Sequence, residues 1–173
     1  MLSAQDLLVA LKLLQHDAPT HSHTLLGKPL GLSQSQVQQA YEHLTDARLL
    51  RPGTWSPVRA ALVNVLVKGV PYFLPAPQQG DQLVCGVATG CGAVSLPCVE
   101  TAPLVWPYAG GESEGFPLTP LCPEAVTAAQ RDPELHRLLA LTDLVRSHRS
   151  SLKERSVAAQ RLEQAILEPV AAY

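Results

Sequence analysis

The segment Ser33 to Leu44 sorts its side chains by chemistry at helical spacing. Val37, Ala40, Tyr41 and Leu44 fall on one stripe, and Gln34, Ser35, Gln38, Gln39, Glu42 and His43 fall on the other. A glutamine amide can pair with N6 and N7 of adenine in a DNA major groove. Gln34, Gln38 and Gln39 are therefore candidate base readers, and Gln36 and His43 belong to the same candidate DNA-contacting set. Ser35 and the amides of the helix start suit a phosphate. Arg48, Arg51 and Arg59 follow closely enough to neutralise flanking phosphates.

Two other groups could do chemistry. His16, His21 and His23 lie close in sequence, and with His43 they could hold zinc or copper, which would make the protein a metal-responsive regulator. No carboxylate–histidine spacing on a helix reinforces that reading, so no metal is expected. Cys85, Cys91, Cys98 and Cys122 contain no close C-x₂₋₄-C pair, and incidental thiols are the expectation. The glycines around Cys85 and Cys91 match neither a dinucleotide fingerprint nor a phosphate loop, and there is no G-x-S-x-G or H-E-x-x-H. The sequence reads as a non-enzyme without a cofactor.

The polar-faced helix needs elements that hold it out. Ser33 and Gln36 form a capping box, so the helix starts there and runs to about Ala47. A first helix is expected over residues 3–15, with Leu7, Leu8, Leu11 and Leu14 on one face. A second is expected from Ser22 to Leu30, burying Leu25, Leu26 and Leu30. Pro29 should kink or shorten it. Gly31-Leu32-Ser33 then forms the tight turn of a helix-turn-helix, which sets the third helix at a steep angle to the second. Only residues 51–56 separate the third helix from the next apolar segment, too short for two good strands, so a stub wing or none is expected.

Residues 3–51 resemble the winged helix-turn-helix of MarR- and GntR-type regulators. The resemblance is carried by Leu26-Gly27-Lys28-Pro29-Leu30-Gly31-Leu32-Ser33-Gln34-Ser35-Gln36-Val37 and by Leu44-Thr45-Asp46-Ala47-Arg48-Leu49-Leu50. It covers about the first third of the chain. It implies a sequence-specific transcriptional regulator that contacts double-stranded DNA from the exposed side of the third helix, often as a homodimer on inverted half-sites.

The fold class expected is mainly α with minor β. A winged-helix-like three-helix domain would occupy residues 1–59, and a mixed, C-terminally helical region that dimerises or binds an effector or partner would occupy 60–173. In that region a helix over 58–67 ending at Gly69 and a strand at 72–74 are expected. Further strands are expected at 83–87 and 93–96 in a Pro- and Gly-rich stretch that otherwise reads as loop. Helices should follow at 123–129, at 132–146 behind an Asp132 cap, and at 151–167. Leu135, Leu138, Leu139, Leu162 and Ile166 are the expected dimer interface or its support, the alternative being that they close a monomeric core.

The 173 residues carry a net charge of −2, and through residue 59 five basic residues face four acidic ones, so there is little bulk attraction for nucleic acid. A protein-interaction adaptor, or an antitoxin-like protein that uses the winged helix to bind a partner, is the rival reading. No apolar run is long enough for a membrane span, and the first residues lack the basic start of a secretory signal, so a cytoplasmic location is expected.

Overall fold

The capping residues fix the helix starts of this chain, whose computed structural model describes residues 1–15, 22–77, 79–96 and 103–168. Ser3 caps α1 (Ala4–Leu13), accepting from the Asp6 amide while the Asp6 carboxylate accepts from the Ser3 amide. The third helix, α3 (Gln34–Asp46), and the last, α9 (Leu152–Leu167), begin with the same reciprocal box, at Ser33 and Ser151. Asp132 caps α8 (Pro133–Arg146) through the Leu135 amide at 3.0 Å. These signals are local in the sequence, and each element begins where its cap predicts.

α1 is enclosed on every side: Leu7, Leu8, Val9, Ala10, Leu11 and Leu13 are all buried. It packs on α2 (His23–Leu30), α3 and α8. α8 is enclosed in the same way, between α7 (Pro123–Arg131), α9 and α1. A single apolar cluster joins Leu7 and Leu44 to Leu139 and Leu162, so the core runs without a break across residue 59. Leu135, Leu138, Leu139, Leu162 and Ile166 belong to it and none is more than 2% exposed. They close the core of one chain, the alternative to a dimer interface, and are not themselves an exposed interface. Burying such a side chain contributes about 1.5–3 kcal/mol, and these five are already spent within one chain.

The helical run after residue 58 continues where a strand at 72–74 was expected. α4 (Arg59–Asn64) passes into a π-helical turn at Val65–Gly69, then into α5 (Val70–Phe73). Pro71 has no N–H to offer the α ladder, and the wider turn just before it lets the helix go on. The strand expected at 83–87 is present as β1 (Val84–Thr89), whereas residues 93–96 are not extended. Cys91–Val94 is instead a short helix, α6, that packs on α8.

Two strands arise in the stretch read as loop, β2 (Leu104–Pro107) and β3 (Ser113–Pro117). β1 pairs antiparallel with both, and β2 and β3 pair in parallel at Leu104–Phe116 and Val105–Pro117, which closes a three-stranded ring. A ring this narrow leaves no room at Gly86, where a Cβ would lie 2.1 Å from the Trp106 carbonyl oxygen. The closure also buries Leu104, Val105 and Trp106 in succession, which erases the alternation by which a strand is recognised.

A buried carboxylate fastens this ring to the helices. Asp143 on α8 accepts from Thr89 Oγ1 at 2.8 Å, from Trp106 Nε1 at 2.6 Å and from Arg146 Nε at 2.8 Å. Arg146 donates further to the carbonyls of Leu74 and Thr119. On the other side of α8, Lys12 pairs with Asp132 and thereby ties α1 to the α8 cap. Burial would raise the Asp132 carboxyl, but the Leu135 amide and the Lys12 ammonium outweigh it and hold the group below its usual value. That pairing stabilises the fold above the ordinary carboxylate range and is lost as pH falls through the depressed value.

Asp143→Ala should destabilise the protein by roughly 3–5 kcal/mol, because it strands a buried guanidinium and two further donors. Urea unfolding would measure it. A loss below about 1 kcal/mol, the net worth of one ordinary hydrogen bond, would mean the carboxylate does not hold the ring.

Candidate nucleic-acid interface

The turn between α2 and α3 is set by Gly31, whose φ of 70° is left-handed and costs glycine nothing. The Leu32 amide reaches back to the Gly27 carbonyl at 3.0 Å, and Leu32 plugs the core at 6% exposure. Pro29 sits in the last turn of α2, which is only eight residues long. Leu26 and Leu30 are buried as expected, but Leu25 is 72% exposed and does not join them.

α3 then starts at Ser33, whose Oγ accepts from the Gln36 amide at 3.2 Å. Such a cap contributes about 1 kcal/mol. Val37, Ala40 and Leu44 anchor the helix inward, while Gln34, Ser35, Gln38, Gln39 and Glu42 face solvent. Gln38 Nε2 donates to Glu42 Oε1 at 3.2 Å.

Three of the nine expected contact residues are used elsewhere. Gln36 Oε1 accepts from the Ser33 amide at 2.9 Å, so its amide completes the cap rather than facing outward. His43 is half-buried, with Nδ1 3.0 Å from Asp6 Oδ2, and joins α3 to α1. Arg59 donates to the carbonyls of Ile166 at 2.7 Å and Leu14 at 3.3 Å, bracing the ends of α9 and α1 rather than reaching a phosphate. Sequence spacing shows the cap role of Gln36 but not those of His43 and Arg59, whose partners are far along the chain.

Arg48 and Arg51 are exposed beside the helix end. Arg48 has φ 59°, and its amide and that of Leu49 bond back to Thr45 and Leu44 at 2.9 and 2.8 Å. This is the left-handed helix stop at which glycine is the usual residue. Arg51 opens a short hairpin: its amide donates to the Ser56 carbonyl at 2.9 Å, and Leu50 and Pro57 form a single antiparallel bridge. A hairpin of that size is the stub anticipated from the six-residue spacing.

An aromatic group under the hairpin was not anticipated. The Trp55 ring lies 4.5 Å from Tyr41 and 5.0 Å from His23, centroid to centroid. It fastens the hairpin to both helices of the turn. A tryptophan beside Pro52-Gly53 was the available signal, since a hairpin this short needs packing to hold it.

The other candidate chemistry is dispersed. His16, His21 and Cys98 lie outside the described residues. His23 packs edge-on against Trp55 and His43 bonds Asp6, and no metal-ligating group of three is found among the described residues. Cys91 is buried, 3.7 Å from Glu154 Oε1, and Cys85 is exposed. Burial, with the Glu124 carboxylate nearby, pushes the Cys122 thiol up to about 12, which keeps it protonated at neutral pH. A cavity of about 250 Å³ lies where α2 meets the α7–α8 junction, beside the Lys12–Asp132 pair. Among the described residues no helix is long and apolar enough to cross a membrane.

Compared with models of known protein families, with curated proteins and with solved structures, the chain matches none.

Proposed function

We propose that the protein is a sequence-specific DNA-binding regulator that presents α3 to the major groove, with Arg48 and Arg51 on the flanking backbone. The observation that carries this reading is the outward row Gln34, Ser35, Gln38 and Gln39 on a capped helix whose opposite side is buried. Hydrogen-bonding amides on a braced helix are what base reading requires. The same reading places the protein in the cytoplasm. A second reading is favoured by Glu42 and Asp46, which share that exposed side with no cation on α3. Such a face suits a basic protein partner, as an adaptor or antitoxin-like protein would use it.

Binding of the full chain to duplex DNA, including its own upstream region, separates the two. Gln39→Ala should weaken binding to a selected site by about 1–3 kcal/mol with the fold intact. Equal binding by wild type and variant would remove α3 as the reader.

Arg48→Gly should move two measurements in opposite directions. Relief of the left-handed strain should leave the unfolding free energy unchanged or raised by up to about 1 kcal/mol. DNA affinity should fall for all sequences, and the slope of log affinity against log salt should shrink by about 1. An unchanged slope would take Arg48 off the interface.

The reading includes a homodimer on DNA, because one helix of this kind offers few base contacts and the local charge adds little. Its interface lies outside the buried leucines of α8 and α9. Light scattering at micromolar concentration, with and without a selected duplex, is expected to give twice the chain mass. A monomer under both conditions would rule the dimer out.

A further inference from the structure

We infer that Glu42 is a specificity determinant of this interface, one that makes Gln38 an adenine reader and rejects guanine. The inference rests on the DNA-binding reading above. Gln38 and Glu42 lie one turn apart on the outward side of α3, both exposed, and the amide of the first donates to the carboxylate of the second at 3.2 Å. A primary amide has two N–H donors and one carbonyl oxygen. With Glu42 engaging the N–H that points away from the carbonyl oxygen, the other N–H and Oε1 stay side by side. That is the pair which N7 and the N6 amino group of adenine require.

The bond also fixes which end of the amide points where, since a flipped Gln38 would set its oxygen against the carboxylate. Guanine presents two acceptors, N7 and O6, in the same groove. It would need both amide donors, and one is held. The Glu42 carboxylate would in addition repel those acceptors, while it would attract the N4 amino group of a cytosine. No lysine or arginine on α3 offers guanine a competing donor, and Gln36 is closed into the cap. The target is therefore duplex DNA with adenine opposite Gln38 and guanine disfavoured there.

The test uses the full chain, a randomised duplex library, and then the best site and its adenine-to-guanine version. The wild type should fix one adenine and discriminate against guanine there by about tenfold, within the range of one bidentate contact. Glu42→Gln keeps an acceptor for Gln38 but removes the charge, so the adenine preference should persist while the guanine penalty falls by the part that repulsion supplies. Glu42→Ala should flatten the adenine preference as well. Both positions are exposed, and unchanged thermal unfolding would confirm that the fold is intact. If both variants discriminate as the wild type does, or if binding sites emerge with no fixed adenine, the inference falls and the DNA-binding reading stands. If no duplex is retained at all, the DNA-binding reading falls and the inference falls with it.

Discussion

A carboxylate taken out of water is costly, and Asp143 is 1% exposed. The fold surrounds it with donors from separate parts of the chain: Thr89 from β1, Trp106 from β2, and Arg146 one turn along α8. The three-stranded ring supplies only Leu104 and Phe116 to a small apolar cluster with Ala76 and Leu118. Its hold on the helices rests on this polar knot, on the apolar contacts of Trp106 and on the bond between His136 Nε2 and the Ala88 carbonyl. Arg146 extends the knot to the backbone at Leu74 and Thr119, which are widely separated in sequence. A partly satisfied knot of this kind would be worse than an apolar one, and here each donor finds the same acceptor group.

The rigidity reaches the outward helix by packing. α8 packs on α1, and α1 packs on α3, with the Lys12–Asp132 ion pair and the His43–Asp6 hydrogen bond as polar ties at the two contacts. Arg59 adds a brace between the carboxyl ends of α1 and α9. The α2–turn–α3 unit is thus seated on α1 and α7, which in turn pack on α8.

What the sequence shows follows from how far each interaction reaches. Ser33 and Gln36 are three residues apart, so the start of α3 and its polar side could be read directly. Gly31 marks the turn for an equally local reason. The short ring could not be read, because its closure pairs Val84 with Gly115 and Leu104 with Phe116 and buries residues that alternation would leave exposed. Within the candidate interface the same rule divides the residues. Gln34, Ser35, Gln38 and Gln39 follow from helical period alone. His43 and Arg59 have the right position but are claimed by Asp6 and by the carbonyls of Leu14 and Ile166, which no spacing predicts.

This use of cations inside the fold bears on how the proposed interface would work. Lys12, Arg59 and Arg146 all hold internal partners, and the chain as a whole is acidic by two charges. Near α3, Lys28, Arg48 and Arg51 are the exposed basic residues, with Glu42 and Asp46 beside them. Counterion release scales with the number of phosphates neutralised, so affinity for arbitrary DNA would be low. Base contacts would then supply most of the binding, and the gap between correct and incorrect sites would be wide for a modest absolute affinity. That balance favours a face of amides over one of arginines. It also explains why a carboxylate on the same face need not be a defect: with so little general attraction to lose, its cost falls on the wrong base rather than on DNA as such.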